Sequence, residues 1–508
     1  MPKIPGVQYA ILKHRFASAE HVQYDGDGID ATKYGIRETL ADNVAPTTGG
    51  RPQVIGPPAG VDVEQSLIQH PLPKPEFPGV SDVDGLSLNI TVPGNVEAII
   101  NLQDLPVLVF IHGGGFILGG NWWPQYDLAR FVALSIDLVR PVIAVNINYR
   151  IGAPGFLTSP ELRSAGCKTN NGLRDQRAAL RWIQEYIGGF GGDPRNVTVM
   201  GQSAGGGQLP MEVADGIAKD VKSALGLDDV SSNDVTQYLL DIPVEDFWTK
   251  IPQTVPMIPV IDGDIIHTRV TLRTFSQEAA EMSGKDLIER IMVGRSTLDG
   301  SIMAYSGLLA RKAGIAASFR GSAAKTLQGH PDALKSLLEH YSLDEVAAIT
   351  LTDDEALLNI LKFITDAAFF MPAVTLASGF PKDSLVFSFD EPNPWNGLFK
   401  GHASHILDVA FLFQNYNQFL DDKQRSSAVA LATDIITFLN GKAPWKPFNS
   451  SGNVCALYKG GKSVFPEASL VQQTGQSPFI LETGRDETGP GMDVLMQVFS
   501  DFMTAQGI

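Results

Sequence analysis

The chain has 508 residues, 44% of them hydrophobic and 19% charged, with a formal net charge of -17. That composition describes a globular protein with a large core, and the acidic balance argues against nucleic acid or an anionic membrane as its main partner. Two cysteines, Cys167 and Cys455, exclude a disulfide framework and read as buried free thiols. The N-terminus, Met1-Pro-Lys-Ile-Pro-Gly, has no apolar signal region, and no uninterrupted apolar run is long enough to span a bilayer. A cytoplasmic protein, monomer or homodimer, is the expectation. Asn89, Asn196 and Asn449 open glycosylation-type triplets, which read as chance matches in that setting.

In chain order, residues 1 to about 85 are rich in Gly, Pro and Asp and read as loops and short strands. Leu86–Val92 alternates like a half-buried strand. Pro106–His112 and Pro141–Tyr149 are nearly continuous apolar runs, as expected of strands covered on both faces. Between them Asp127–Ile136 reads as a helix. Gly172–Ile187 is a second helix, with Leu173, Ala179, Leu180, Ile183 and Ile187 on roughly one face. A further strand, Val197–Met200, follows. Strand, helix, strand, helix, strand is the order of a doubly wound α/β sheet. Past residue 215 the pattern is mainly helical, broken by Val260–Asp264 and by a strand at Arg290–Gly294. Residues 303–378 form a run of amphipathic helices, Leu385–Phe389 another strand, and helices at 405–421, 425–440 and 490–504 close the chain.

The chemistry starts at Gly201-Gln202-Ser203-Ala204-Gly205. In this pattern a strand ends in a sharp turn and a helix begins, so the serine hydroxyl projects above the sheet. A serine nucleophile needs donors for an oxyanion, and His112-Gly113-Gly114-Gly115-Phe116 offers consecutive unobstructed N–H groups after a buried strand. No Walker lysine follows, which disfavours a phosphate loop. His112 reads as a shaper of that loop. Among nine histidines, His402 and His405 stand out as candidate bases, and spacing does not choose between them. A metal held by this pair would lack a third ligand cluster.

Together the stretches Gly113–Phe116, Phe190-Gly-Gly-Asp-Pro194, Gly201–Gly205, Pro259-Val-Ile-Asp-Gly263 and His405-Ile-Leu-Asp408 resemble the type-B carboxylesterase/lipase family, the cholinesterase-like α/β hydrolases, and particularly its fungal members. The resemblance implies a single α/β-hydrolase domain over residues 1–508, a mostly parallel central sheet flanked by helices, with a helical insertion at about 303–378 as lid or gorge wall. It implies His405 as base, because His405-Ile-Leu-Asp408 fits the family pattern and His402 does not. It implies Asp299, just before Gly300, as the acid, one methylene shorter than the usual Glu. Gly114, Gly115 and Ala204 would supply the oxyanion hole, and Phe116 and Trp122 would wall the pocket. Arg174, Asp175, Arg177 and Glu185 fall at structural ion-pair positions.

The chain departs from the family in three places. Gly85 stands where secreted relatives carry a disulfide cysteine, and Gln69-His-Pro-Leu-Pro lacks the choline-binding tryptophan. After Gly206 the sequence reads as lacking the nucleophile helix and the following sheet strand, since Pro210 interrupts the helix and Met211–Leu225 begins at once. Losing an inner strand would leave sheet edges open. The expected activity is cleavage of a small, fairly apolar carboxylic ester or lactone through an acyl-enzyme, with no cofactor or metal. Acyl transfer with the same triad, or a non-catalytic esterase-like binding protein, are the alternatives.

Overall fold

The computed structural model describes residues 3–23, 60–94, 103–204, 209–252, 255–276, 285–449, 453–466, 479–486 and 488–507. Its strands are β1 (Lys3–Gln8), β2 (Ala10–Ile11), β3 (Glu20–His21), β4 (Ser87–Thr91), β5 (Leu105–Ile111), β6 (Ile143–Ile147), β7 (Gly192–Gly201), β8 (Arg290–Ser296), β9 (Asp383–Phe389), β10 (Val454–Tyr458) and β11 (Lys462–Pro466). The principal helices are α1 (Gly60–Ile68), α2 (Ala129–Asp137), α3 (Asn171–Tyr186), α4 (Met211–Ala224), α5 (Ile315–Thr326), α6 (Asp353–Ile364), α7 (Met371–Gly379), α8 (Leu407–Leu412), α9 (Asp422–Leu439) and α10 (Met492–Ala505).

The strands fall into two main sheets rather than one. The first has the order β1-β4-β6-β5-β7 and the second β11-β10-β9-β8. In the first, β5 pairs parallel with β6 and β7, while β1 and β4 join antiparallel. In the second, β9 pairs parallel with β8 and β10, and β11 closes a hairpin. β5 and β6 are buried almost throughout, as their unbroken apolar sequences require when helices cover both faces. β7 is different. Its far edge has no strand neighbour among the described residues, and Val199 in its middle is 48% exposed.

One hydrophobic core crosses the division. Leu108, Phe110 and Ala144 of the first sheet and Leu385, Phe389 and Tyr458 of the second share a cluster with Leu431, Ile436 and Leu439 of α9. A large apolar side chain contributes about 1.5–3 kcal/mol when fully buried, so α9 is the brace beneath both sheets. The opposite face of the first sheet is covered by Ala179, Trp182 and Ile183 of α3. A second core packs α5, α6, α7 and α10 around Val386 and Cys455. The helical stretch Asp353–Gly379 is long and apolar enough by composition to cross a membrane, yet 67% of its most apolar 18-residue window is buried inside the protein. It is a core helix of this second cluster.

The strands expected at 86–92, 106–112, 141–149, 290–294 and 385–389 and the helices at 127–136 and 172–187 are present within a few residues. Elsewhere the structure differs. Residues 1–85 contain a helix, α1, whose buried face includes Glu64 and Gln65 beside Val61, Leu67 and Ile68, so its hydrophobic period is broken. The helix expected over 405–421 is the short α8, because Gln414 takes a φ of 63° and a left-handed residue ends a helix. β1, β2 and β3 are the short strands expected within residues 1–85, while β10 and β11 had no forecast.

The outer edge of β7 has no strand neighbour among the described residues. Residues 205–208, including Gly205 and Gly206, lie outside the described residues; Leu209 then bridges Val260, and α4 starts behind Pro210. Cys167 and Cys455 are both free thiols, the second buried.

Candidate active site

β7 delivers Ser203 to the site. The serine has a φ of 56°, a left-handed conformation that a residue with a Cβ adopts only when its surroundings impose it, at roughly 1–3 kcal/mol. Gln202 N–H still donates to Ile111 O at 3.3 Å, so the turn begins while the chain is tied to β5. Ser203 itself is exposed.

β8 ends at Ser296 and the chain folds back at once. Ser296 N–H donates to Asp299 Oδ2 at 2.8 Å, and Gly300 N–H donates to Thr365 Oγ1 at 2.8 Å. A Cβ on Gly300 would meet Leu361 O at 2.1 Å, so only glycine lets α6 press this close. The result leaves Asp299 Oδ1 aimed at the loop carrying His405. That loop is pinned by Leu298 N–H to Ala403 O at 2.9 Å and by His405 N–H to Ser301 Oγ at 2.8 Å.

The three side chains meet. His405 Nδ1 lies 2.8 Å from Asp299 Oδ1 and His405 Nε2 lies 2.9 Å from Ser203 Oγ. The natural assignment puts the proton on Nδ1, donating to Asp299, and leaves Nε2 to accept from the serine. Burial works against charge on His405, but the Asp299 hydrogen bond and charge, with Asp408 and Glu64 further off, hold its pKa above the ordinary value. His112 is pushed the other way, to about 4, by burial. It stacks on Tyr149 and its Nδ1 lies 2.9 Å from Gly113 O, which makes it a loop shaper. His402 takes no part in the triad, and its backbone N–H closes the turn by donating to Phe399 O.

The glycine loop lies against the nucleophile. A Cβ on Gly113 would meet Gln202 Oε1 at 2.1 Å and Ser203 Cβ at 2.8 Å. Gly114 and Gly115 have φ of 105° and 61°, and Leu118 N–H donates to Gly114 O at 2.8 Å. With that carbonyl engaged in a tight turn, the Gly114, Gly115 and Ala204 amides donate to no backbone partner among the described residues. They remain free to donate to an oxyanion.

The two residues expected to wall the pocket each pack on an aromatic ring. Phe116 is 6% exposed and packs on Phe156 in a separate core cluster, because its φ of 63° turns the side chain inward. Trp122 is half-buried, edge-on to Phe77. Ala204, next to Ser203, packs against the cluster that holds Phe116. The ring centroid of Phe369 is 5.5 Å from that of His405. Phe369 was hidden inside an apolar helix pattern. Gln202, whose Nε2 lies 3.4 Å from His405 Nε2, sat in the motif itself. Arg150 and Asp175 form a fully buried pair at 2.7 Å, and Arg174 pairs with Asp264 at 2.6 Å, so Asp175 and Arg174 are structural as expected.

This arrangement of strands, helices and turns is that of the α/β-hydrolase fold. The carboxylesterase family model matches residues 4–214, which carry the glycine loop and Ser203. The chain is 44% identical over 131 residues to the para-nitrobenzyl esterase of Bacillus subtilis, covering 26% of this chain and 24% of that one. It is 38% identical over 143 residues to Lipase 4 of Diutina rugosa, covering 28% and 24%. The chain thus matches about a quarter of the length of these relatives. Solved para-nitrobenzyl esterase structures superpose over far more: one with a TM-score of 0.66 at 20% identity covers 94% of this chain and 96% of the other, and a thermophilic form also reaches 0.66. The fold is therefore shared along nearly the whole chain.

Proposed function

We propose that the protein is a serine esterase that hydrolyses carboxylic esters or lactones of small, fairly apolar molecules. The observation that carries this reading is the relay Asp299–His405–Ser203, with both hydrogen bonds formed. His405 Nε2 takes the Ser203 proton as Oγ attacks the ester carbonyl, and the new oxyanion accepts from the Gly114, Gly115 and Ala204 amides. His405 then returns the proton to the leaving alcohol, and water deacylates Ser203 by the same steps in reverse roles. The names of the relatives, lipases and esterases, support the same reaction class. Phe369 is the side chain best placed to meet the acyl group beside His405.

The binding-protein alternative draws only on the divided sheet, and a relay kept at hydrogen-bond distance argues against it. The two free thiols support a reducing, cytoplasmic setting, although a matched relative is named a secreted lipase. The test is intact-mass labelling with a fluorophosphonate. One adduct, lost in Ser203→Ala, is the expected result; no adduct on folded protein would sink the assignment.

A further inference from the structure

The mechanism leaves one buried acid near His405 unused. Glu64 sits in the middle of α1 and is 6% exposed. Its Oε1 accepts from Tyr126 O–H at 2.5 Å and its Oε2 from Gln125 Nε2 at 2.5 Å, and no ion pair reaches it among the described residues. Burying a carboxyl without a cation is costly, so the site calls for an explanation.

α1 is held between the two loops that build the active site. At its start a Cβ on Gly60 would meet Leu118 and Trp123 at 3.2 Å, next to the glycine loop. At its end Leu67 O accepts from Ser404 Oγ at 3.4 Å, Ile68 O from Asn393 Nδ2 at 3.1 Å, and Gln69 Oε1 from Phe399 N–H at 2.7 Å. Ser404 is the residue before His405. The Gln125–Tyr126 turn that grips Glu64 is itself tied to the segment beyond His405, with Asn415 Nδ2 donating to Gln125 O at 3.2 Å and to Asp127 O at 2.9 Å.

We propose that Glu64 is a positioning residue for the serine esterase reaction proposed above, a buried carboxylate that helps His405 carry positive charge while Ser203 is deprotonated. The inference rests on that reading. The groups facing this region are Asp299 after β8, Asp408 on α8, Tyr126 and Tyr416, and the ring of Phe369. Arg295, the nearest guanidinium along β8, pairs with Asp366. No lysine or arginine forms an ion pair with Glu64, Asp299 or Asp408 among the described residues, and His405 is the group on which all three acids act. Burial lifts Glu64 to about 7, against the pull of Tyr126, Gln125 and His405, and lifts Asp408 to about 6. Glu64 is then neutral in acid and charged above neutrality, and its help to His405 switches on across that range.

The test is the rate of fluorophosphonate labelling against pH in the full chain and in Glu64→Gln, which keeps the volume and an acceptor for Tyr126. The two profiles should converge near pH 5.5 and separate above pH 7, the variant being about 3- to 10-fold slower there, as expected for losing one nearby charge. A purely structural role would lower the rate by one factor at every pH, and that result, or identical profiles, overturns the inference. If Glu64→Gln does not fold, Tyr126→Phe serves instead: removing a donor to the carboxylate should move the upper limb to higher pH, and an unmoved limb overturns the inference. Absence of labelling in the unaltered protein would overturn the esterase reading and this one with it, whereas labelling with a pH-independent ratio overturns this one alone.

Discussion

Ser203 and Asp299 end strands that belong to different sheets, and the only described link between them is the imidazole of His405. In an unbroken parallel sheet the nucleophile and acid are held in register by intervening hydrogen bonds. Here the register comes from side chains and from the brace of α9. Replacing Asp299 therefore removes both the orienting partner of His405 and a tie between the sheets. Asp299→Asn should lower esterase turnover by about 10³–10⁴-fold. Asp299→Glu should not rescue it, because the 2.8 Å contacts to Ser296 N–H and to His405 leave no room for another methylene. Turnover of a chromogenic ester, beside a melting curve, checks both.

Gly113 offers a sharper test of the oxyanion loop. A methyl group there would meet the backbone O of Gln202 at 2.7 Å and Ser203 Cβ at 2.8 Å, so the loop must move away from the nucleophile. Gly113→Ala should reduce turnover by about 10²-fold or more, the usual effect of losing an oxyanion donor. A variant with full activity would show that the donors lie elsewhere.

The helix beneath both sheets begins with a capping box: Asp421 accepts from Gln424 N–H at 2.8 Å, and Gln424 Oε1 accepts from Asp421 N–H at 3.4 Å. Asp421→Ala should cost about 1 kcal/mol and lower the melting temperature by a few degrees. It should also slow labelling of Ser203, which lies far from it in sequence, because fraying of α9 loosens the union of the sheets. Unchanged labelling at a lowered melting temperature would separate the brace from the site.

Three carboxyls, the buried Glu64 and Asp366 and the half-buried Asp408, set the pH dependence of stability. Burial raises Glu64 to about 7 and, against the opposing pull of their cationic neighbours, Asp366 and Asp408 to about 6 each. The folded state thus binds their protons more tightly than the unfolded chain. Their contribution is complete below the ordinary carboxyl range and is lost progressively as pH climbs from that range through 6 to 7. The loss is roughly 1.4 kcal/mol for each pH unit separating a group's folded and unfolded pKa values. Denaturation midpoints should fall over that interval. Glu64→Gln should flatten the fall and be more stable than the unaltered protein at pH 8; an identical pH dependence would contradict it.

Much of this was legible from the chain. β5, β6 and α3 announce themselves because their apolar residues are continuous or periodic, and Ser203 because it stands in a glycine-flanked turn after a strand, whereas His405 and Asp299 are singled out only through the family resemblance. α1 was not, since Glu64 and Gln65 occupy its buried face. The burial of Phe116 was not legible either, since it depends on a left-handed backbone and on Phe156, forty residues downstream. Phe369 reaches His405 only through the packing of helices far downstream of Ser203, which no local pattern encodes.

The divided sheet has one more consequence. Every strand of the first sheet precedes residue 202 and every strand of the second follows residue 289, so the chain is two contiguous halves whose contacts across the join are long-range and slow to form. Reactivity at Ser203 cannot arise in either half alone, since one supplies the hydroxyl and the other the imidazole and acid. The site is thereby a natural reporter of its own assembly. Two fragments separated between α4 and β8 and mixed in solution would light up with a fluorophosphonate dye only as they found each other.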